Sequence, residues 1–249
     1  MNKTAIEWCD YTWNPVTGCK HDCPYCYARK IAERFKGGKA WPNGFAPTLH
    51  PERMNDPMRQ KTPQTIFVCS MADLFGTWVP DGWIHTVFMA MLRAPQHRYI
   101  MLTKDPNRAG HRFMDNFYSF GEKLLPSKIP RNWWIGASVE SSRYTGRIDD
   151  LRRIPTGNLF VSFEPLLGPV DSEDFPLDLK GIAQVIVGAQ TNPTVIPPSN
   201  AISDIVKTAK NQNALVFFKD SMNGVPWPGQ STFVNVHDLA WPLRKEVSA

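Results

Sequence analysis

The sequence predicts an α/β fold, and two observations carry that prediction. Six short runs of apolar, β-branched or aromatic residues recur down the chain: TIFVCS (65–70), RYIMLT (98–103), WWIGAS (133–138), LFVSFEP (159–165), QVIVGA (184–189) and ALVFFK (214–219). Each has strand length and is almost continuously apolar, the pattern of strands covered on both faces of a parallel sheet. The stretches between them have helical character, so strand and helix alternate.

The elements follow in order. TWNPVTG (12–18) is a short first strand, and YARKIAERF (27–35) is its helix. VPDGWIHTVFMAMLRAP (79–95) predicts a helix capped by Asp81 that stops near Pro95. SNAISDIVKTAKNQN (199–213) predicts another, opened by Ser199, with Ile202, Ile205 and Val206 as its apolar face. The proline-rich pieces TNPTVIPPSN (191–200) and GVPWPG (224–229) are loops, and the tail from Val225 is an irregular extension. About seven strands result, which suits a partial (β/α)6–7 barrel; a doubly wound open sheet is the competing architecture. The units share no sequence pattern and no linker interrupts them, so residues 1–249 are expected to form a single domain.

Composition narrows the class. With 249 residues and 42% hydrophobic content the chain can bury a full core, and it contains no run of eighteen apolar residues, which excludes an ordinary membrane-spanning helix. The N-terminal MNKTAIEWCDYTW lacks the basic, apolar and small-residue regions of a secretory signal, which predicts a reducing cytoplasm without disulfides. The 28 basic and 23 acidic residues leave a net charge of +5. That balance suits a polyanionic partner and equally suits scattered solvated charge.

Three of the five cysteines sit in GCKHDCPYCYA (18–28). Cys69 falls in an apolar run and is expected to be a small core residue, and Cys9 has no assigned role. Cys19, Cys23 and Cys26 are separated by three and then two residues on a turning loop, a spacing at which thiolates converge on a cuboidal iron–sulfur cluster. Three ligands for four irons leave one iron open. Zinc competes, with His21 completing a Cys3His site. The spacing favours the cluster, because zinc modules usually draw their third and fourth ligands from a second, separated pair.

In a β/α barrel the reactive residues gather where strands finish. Polar residues stand at those places: Ser70 and Asp73; Thr103, Lys104 and Asp105; Ser138 and Glu140; Ser162 and Glu164; Gln190; Lys219 and Asp220. Each alone reads as well as a helix cap or a surface charge. Their joint placement points to a mouth, which the cysteine loop shares.

CKHDCPYC resembles the CxxxCxxC signature of radical S-adenosylmethionine (SAM) enzymes, in which an aromatic commonly precedes the third cysteine, the place of Tyr25. A second resemblance covers roughly Ile6 to Lys219. The blocks IEWCDYTWNPVTGC, FVCSMADLFGTWVP, APQHRYIMLTKDPNR, WIGASVES, LFVSFEPLLGPV and VIVGAQ are similar to a phage and prophage family of small radical SAM-like proteins. Members of that family often have a longer gap between the first two cysteines. Where they often read GGES after the sixth strand, this chain has Gly188, Ala189, Gln190 and Thr191.

The resemblance implies a radical SAM type of partial barrel with a 4Fe-4S cluster on Cys19, Cys23 and Cys26, and SAM chelating the fourth iron. By the same analogy Ser70 to Asp73 hold the methionyl amino group and Ser138 with Glu140 hold the ribose hydroxyls. Tyr25 and the backbone near Glu164 and Gly188 flank the adenine, and Glu164 is also a candidate to face substrate. An electron donor such as flavodoxin or ferredoxin is implied as partner, and the host cytoplasm as location if the chain is phage-encoded.

The chain has no room for a large cap domain and no second cysteine cluster, so an open mouth favours a large substrate such as a nucleic acid. Trp41, Trp78 and Trp133 are candidates to stack on a displaced base, with core packing as the plainer role for each. The named activity closest to the family is isomerisation of 5-Nα-glycinylthymidine in phage DNA, in which the amino acid's attachment moves from nitrogen to the α-carbon. Lys104, Lys219 or Lys20 would then meet the glycyl carboxylate. Three rivals stand beside it: a radical SAM enzyme acting on another nucleobase, RNA or peptide; a zinc-stabilised nucleic-acid-binding module; and a cluster protein serving electron transfer alone.

Overall fold

The computed structural model describes residues 1–115 and 128–225. The extension expected from about residue 225 lies outside the described residues. The chain forms two compact units, Met1–Trp134 and Ile135–Ala249, and the boundary falls inside a strand.

The first unit contains β1 (Asn2–Lys3), β2 (Tyr11–Trp13), β3 (Val16–Thr17), α1 (Tyr27–Arg34), β4 (Thr48–Leu49), α2 (Asp56–Arg59), β5 (Thr65–Val68), α3 (Asp81–Leu92), β6 (Arg98–Thr103) and α4 (Pro106–Met114). Its main strands run β1-β2-β5-β6, with β1 antiparallel to β2 and the rest parallel. The expected first strand, 12–18, is two strands. Asn14 and Pro15 interrupt it, since proline has no N–H to give a ladder, and the second piece, β3, pairs with β4 instead. Parallel register aligns Trp13 with Val68 and Val68 with Met101, so β2 and β5 finish together and β6 runs two residues further, to Thr103.

Aromatics fill this unit's core. Phe88 stacks on Phe113 at 4.9 Å between centroids and tilts against Trp133 at 5.1 Å, and Trp133 meets Tyr99 edge-on at 6.4 Å. Trp133 is 1% exposed and Trp41 is 6% exposed, so both take the core role. Tyr99 donates its hydroxyl to the Ala94 carbonyl at 2.9 Å, and burial pushes its phenol above the usual range.

Asp81 does not cap α3. Pro80 occupies the cap position in extended conformation, and Asp81, as first helical residue, accepts from Arg108 at 2.8 Å and Arg112 at 2.5 Å. That arrangement places its charge in the first turn, where the helix dipole favours it.

The second unit holds most of β7 (Trp133–Ser138), then α5 (Gly146–Arg152), β8 (Leu159–Phe163), β9 (Gln184–Val187), β10 (Gln190–Thr191), β11 (Thr194–Val195), α6 (Ser199–Asn211) and β12 (Leu215–Phe218). Its sheet runs β7-β8-β9-β12, every pair parallel. Ser199 is likewise the first residue of its helix, behind a Pro198 cap. The segment 191–200, expected to be plain loop, contains a two-residue antiparallel hairpin, Gln190–Thr191 against Thr194–Val195, too short to leave a periodic signal. The predicted α/β class with a parallel-strand sheet is the observed one.

Candidate functional site

The cysteine loop begins at Gly18, and the backbone there dictates the residue. Gly18 has φ +86°, and a Cβ would lie 2.3 Å from the Ala46 carbonyl oxygen, so a side chain is excluded. The loop is pinned by Gly18 N–H donating to the Met71 carbonyl (3.0 Å) and Cys19 N–H to the Phe45 carbonyl (3.3 Å). It ends at Cys26, the N-cap of α1, whose sulfur accepts from Arg29 N–H at 3.4 Å. A thiolate there gains both an N–H donor and the positive end of the helix dipole. Cys19, Cys23 and Cys26 are all half-buried, whereas Cys69 is buried, as its apolar context predicted.

Asp73 organises the surroundings. Its Oδ1 accepts from the Thr103 hydroxyl (2.7 Å) and Phe75 N–H (3.0 Å), and its Oδ2 from Lys104 N–H (2.8 Å) and His21 Nε2 (2.7 Å). Burial opposes ionisation of this carboxyl, yet the His21 hydrogen bond and charge, with the Lys104 and Thr103 donors, hold it below the usual range. One carboxylate thereby ties the cysteine loop to the ends of β5 and β6. The turn that delivers it starts at Cys69, which has φ +60° and donates to the Trp13 carbonyl at 2.8 Å. A non-glycine residue in that region costs about 1–3 kcal/mol, so surrounding contacts hold it there.

Around the loop, Lys104 Nζ donates to the Tyr25 hydroxyl at 2.8 Å and stands 5.4 Å from that ring's centroid. Ser70 donates to Asn14 Oδ1 at 3.2 Å, and the Tyr27 hydroxyl donates to the Ser70 carbonyl at 2.7 Å. Trp78 meets His21 edge-on at 4.8 Å, and its Nε1 is buried without a partner among the described residues. Of the residues proposed from sequence, Cys19, Cys23, Cys26, Tyr25, Ser70, Asp73 and Lys104 share this neighbourhood. His21, weighed from the sequence as the fourth ligand of a zinc site, is a member through Asp73.

The loop's donors fit a cluster. Three soft sulfur ligands with an N–H donor to one of them match thiolate ligation of iron. The Cys19 thiol is pushed up to about 11, first by burial and also by the charges of Asp73 and Cys23, against the lowering effect of a hydrogen bond from the His21 backbone. Among the described residues no group of three or more His, Cys, Asp or Glu is placed to hold a metal ion, so the fit is one of donor type.

A second set of strand-end residues lies in the other unit. Lys219, after β12, forms an ion pair with Glu164, after β8, the two side chains being 17% and 27% exposed. Gly188, after β9, is closely packed: a Cβ would stand 3.0 Å from Glu164 Cγ and 3.2 Å from Lys219 Cδ, so those side chains would have to give by a few tenths of an ångström. Glu140 is 3% exposed and accepts from Arg147 at 3.0 Å; the same guanidinium donates to the Ser138 carbonyl at 2.7 Å. Ser162 is fully buried beside Ser138 in the parallel register, and its hydroxyl has no partner among the described residues. Asp105 turns out to cap α4, accepting from Arg108 N–H at 3.0 Å, which is its plainer role.

Sequence reasoning missed Asn14, Arg147 and the His21 link. Asn14 precedes a proline, the one signal that marked it as a turn residue. Arg147 and His21 act across distances in sequence that no periodicity reports.

Among solved structures the chain is similar to spore photoproduct lyase complexed with dinucleoside spore photoproduct, with 11% identity and a TM-score of 0.48, covering 85% of this chain and 64% of that one. A cysteine variant of that lyase gives 12% identity at the same score and coverage. The chain therefore spans less than two thirds of those proteins. Comparison with curated protein sequences finds no match. The model of one family, described as a protein of unknown function (DUF5131), matches residues 3–226, nearly the whole chain, and the protein is accordingly a member of the DUF5131 family.

Proposed function

We propose that this protein is a radical SAM enzyme whose 4Fe-4S cluster is held by Cys19, Cys23 and Cys26. The observation that carries the reading is the cysteine loop itself: three half-buried thiols ending at a helix N-terminus. Bound cluster and SAM would supply a 5'-deoxyadenosyl radical able to take a hydrogen from an unactivated C–H bond. The chain's own residues hold and aim. Asp73 fixes the loop through His21, and Lys104 brings a positive charge to the ring of Tyr25, between two ligands.

Ser70, Ser138, Glu140 and Gly188 remain proposed cofactor contacts. Of these, Glu140 is already engaged by Arg147, so it would reach a ribose only as part of that pair. Lys104, Lys219 and Glu164 are the proposed substrate-facing groups. The substrate proposed is a hypermodified thymidine in DNA, with isomerisation of a glycyl group from nitrogen to carbon attachment as the specific reaction. A Lys219–Glu164 pair over a glycine suits a substrate bearing both amine and carboxylate. We also propose that the two units work as one domain.

A second reading rests on one observation. A carboxylate behind a histidine is the support that a zinc-bound imidazole receives, and His21 has Asp73 behind it. That reading makes the protein a zinc-stabilised nucleic-acid-binding module. Metal analysis after anaerobic purification separates the two: the first predicts iron and sulfide and SAM-dependent formation of 5'-deoxyadenosine, the second a colourless protein with one zinc.

A further inference from the structure

The net charge is not spread along the chain. Residues 20–39 hold six basic residues (Lys20, Arg29, Lys30, Arg34, Lys36 and Lys39) against two acidic ones, while the other 229 residues hold 22 basic and 21 acidic. Nearly all of the excess positive charge therefore lies on the cysteine loop, α1 and the turn that follows.

The structure turns this segment outward. Ala28 and Ala32 are the buried residues of α1; Tyr27, Lys30, Glu33 and Arg34 are exposed, and of these Tyr27, Lys30 and Arg34, spaced three and four apart, share one stripe. Lys20, Lys36 and Lys39 are exposed as well. Among the described residues Arg29 alone of the six is ion-paired with an acid, Asp22. Two large rings stand among the cations: Tyr27 is 51% exposed and Phe35 is 54% exposed, with the Arg34 guanidinium 5.4 Å from the Phe35 centroid. The Tyr27 ring is held in place by its hydrogen bond to the Ser70 carbonyl.

We propose that this stripe is a binding surface for single-stranded nucleic acid, which it guides toward the cysteine loop. The inference rests on the nucleic-acid reading of the substrate and deepens it. Exposed cations interleaved with exposed aromatic rings match a strand that offers phosphates and unstacked bases together. An acidic protein would use the cations and leave both rings without a task. From Tyr27 to Arg34 the helix rises about 10 Å. Its first residue adjoins Cys26, so a strand lying along the stripe meets the candidate site at one end.

The test is binding by the full chain, without added iron or SAM, to a fluorescein-labelled 15-nucleotide oligothymidylate across a salt series. The triple variant Lys30→Gln, Arg34→Gln, Lys36→Gln is compared with Lys180→Gln, Lys207→Gln, Lys210→Gln, which removes the same charge from exposed positions elsewhere. The stripe variant is expected to lose about tenfold in affinity or more and to flatten the log–log salt slope by about 2, and the control to stay within about twofold. Phe35→Leu is expected to weaken binding about fivefold or more with the slope unchanged. Equal losses in the two triples would reduce the effect to overall charge and overturn the proposal. So would a stripe variant that binds the strand as tightly as the parent protein. Because the assay contains neither cluster nor SAM, its failure leaves the radical SAM reading standing, and failure of that reading leaves this result intact.

Discussion

His21 Nε2 donates to Asp73 Oδ2 at 2.7 Å, joining the cysteine loop to a carboxylate whose other three hydrogen bonds come from the end of β6 and the loop after β5. Removing its charge strands the His21 partner and weakens every one of those bonds. Asp73→Asn is expected to cost about 2–4 kcal/mol, read as a lowered urea midpoint with unchanged slope. An unchanged midpoint would mean that the loop is anchored elsewhere.

The same group sets an acid limit. Its folded pKa lies below the usual carboxylate value, so it contributes stability that is full above about pH 4 and is lost as pH falls through the folded value. Melting temperature followed from pH 7 to 3 should therefore fall less steeply in Asp73→Asn than in the parent below about pH 4. Parallel acid limbs would assign acid unfolding to other groups.

Cysteine reactivity should divide by burial. Cys69 is fully buried and its thiol is pushed up to about 12, chiefly by burial, so it stays protonated in the folded chain at pH 8. Iodoacetamide followed by peptide mapping is expected to modify Cys23 and Cys26 in the metal-free protein and to reach Cys69 only after unfolding. A raised folded pKa also means stability lost as pH climbs beyond the ordinary thiol value near 8.5.

At the other strand-end set, Gly188→Ala inserts a methyl 3.0 Å from Glu164 Cγ, so the Glu164 and Lys219 side chains must give by a few tenths of an ångström. The expected cost is about 1–3 kcal/mol by chemical denaturation. Glu164→Ala in the same background should recover part of it, since it removes the atom struck. Equal losses in both backgrounds would place the strain in the backbone.

Sequence reading recovered the strands with near residue accuracy where apolar runs were continuous, as in Arg98–Thr103 and Trp133–Ser138. It failed where a rule of local chemistry outweighed pattern: Asn14 and Pro15 split the first strand, and prolines took the cap positions expected of Asp81 and Ser199. The cysteine loop was legible because ligand spacing is local. Asp73 was placed at a strand end, but its partnership with His21, 52 residues away, and that of Glu164 with Lys219, 55 residues away, exist only after folding.

The central claim concerns three thiols, and one measurement reaches it: anaerobic reconstitution with iron and sulfide, then reduction in the presence of SAM, with 5'-deoxyadenosine quantified by chromatography. The account predicts about four irons per chain and 5'-deoxyadenosine from the parent protein, with both lost in Cys19→Ala, Cys23→Ala and Cys26→Ala and both kept in Cys69→Ala. A colourless zinc protein, or an iron–sulfur protein that never yields 5'-deoxyadenosine, would contradict it.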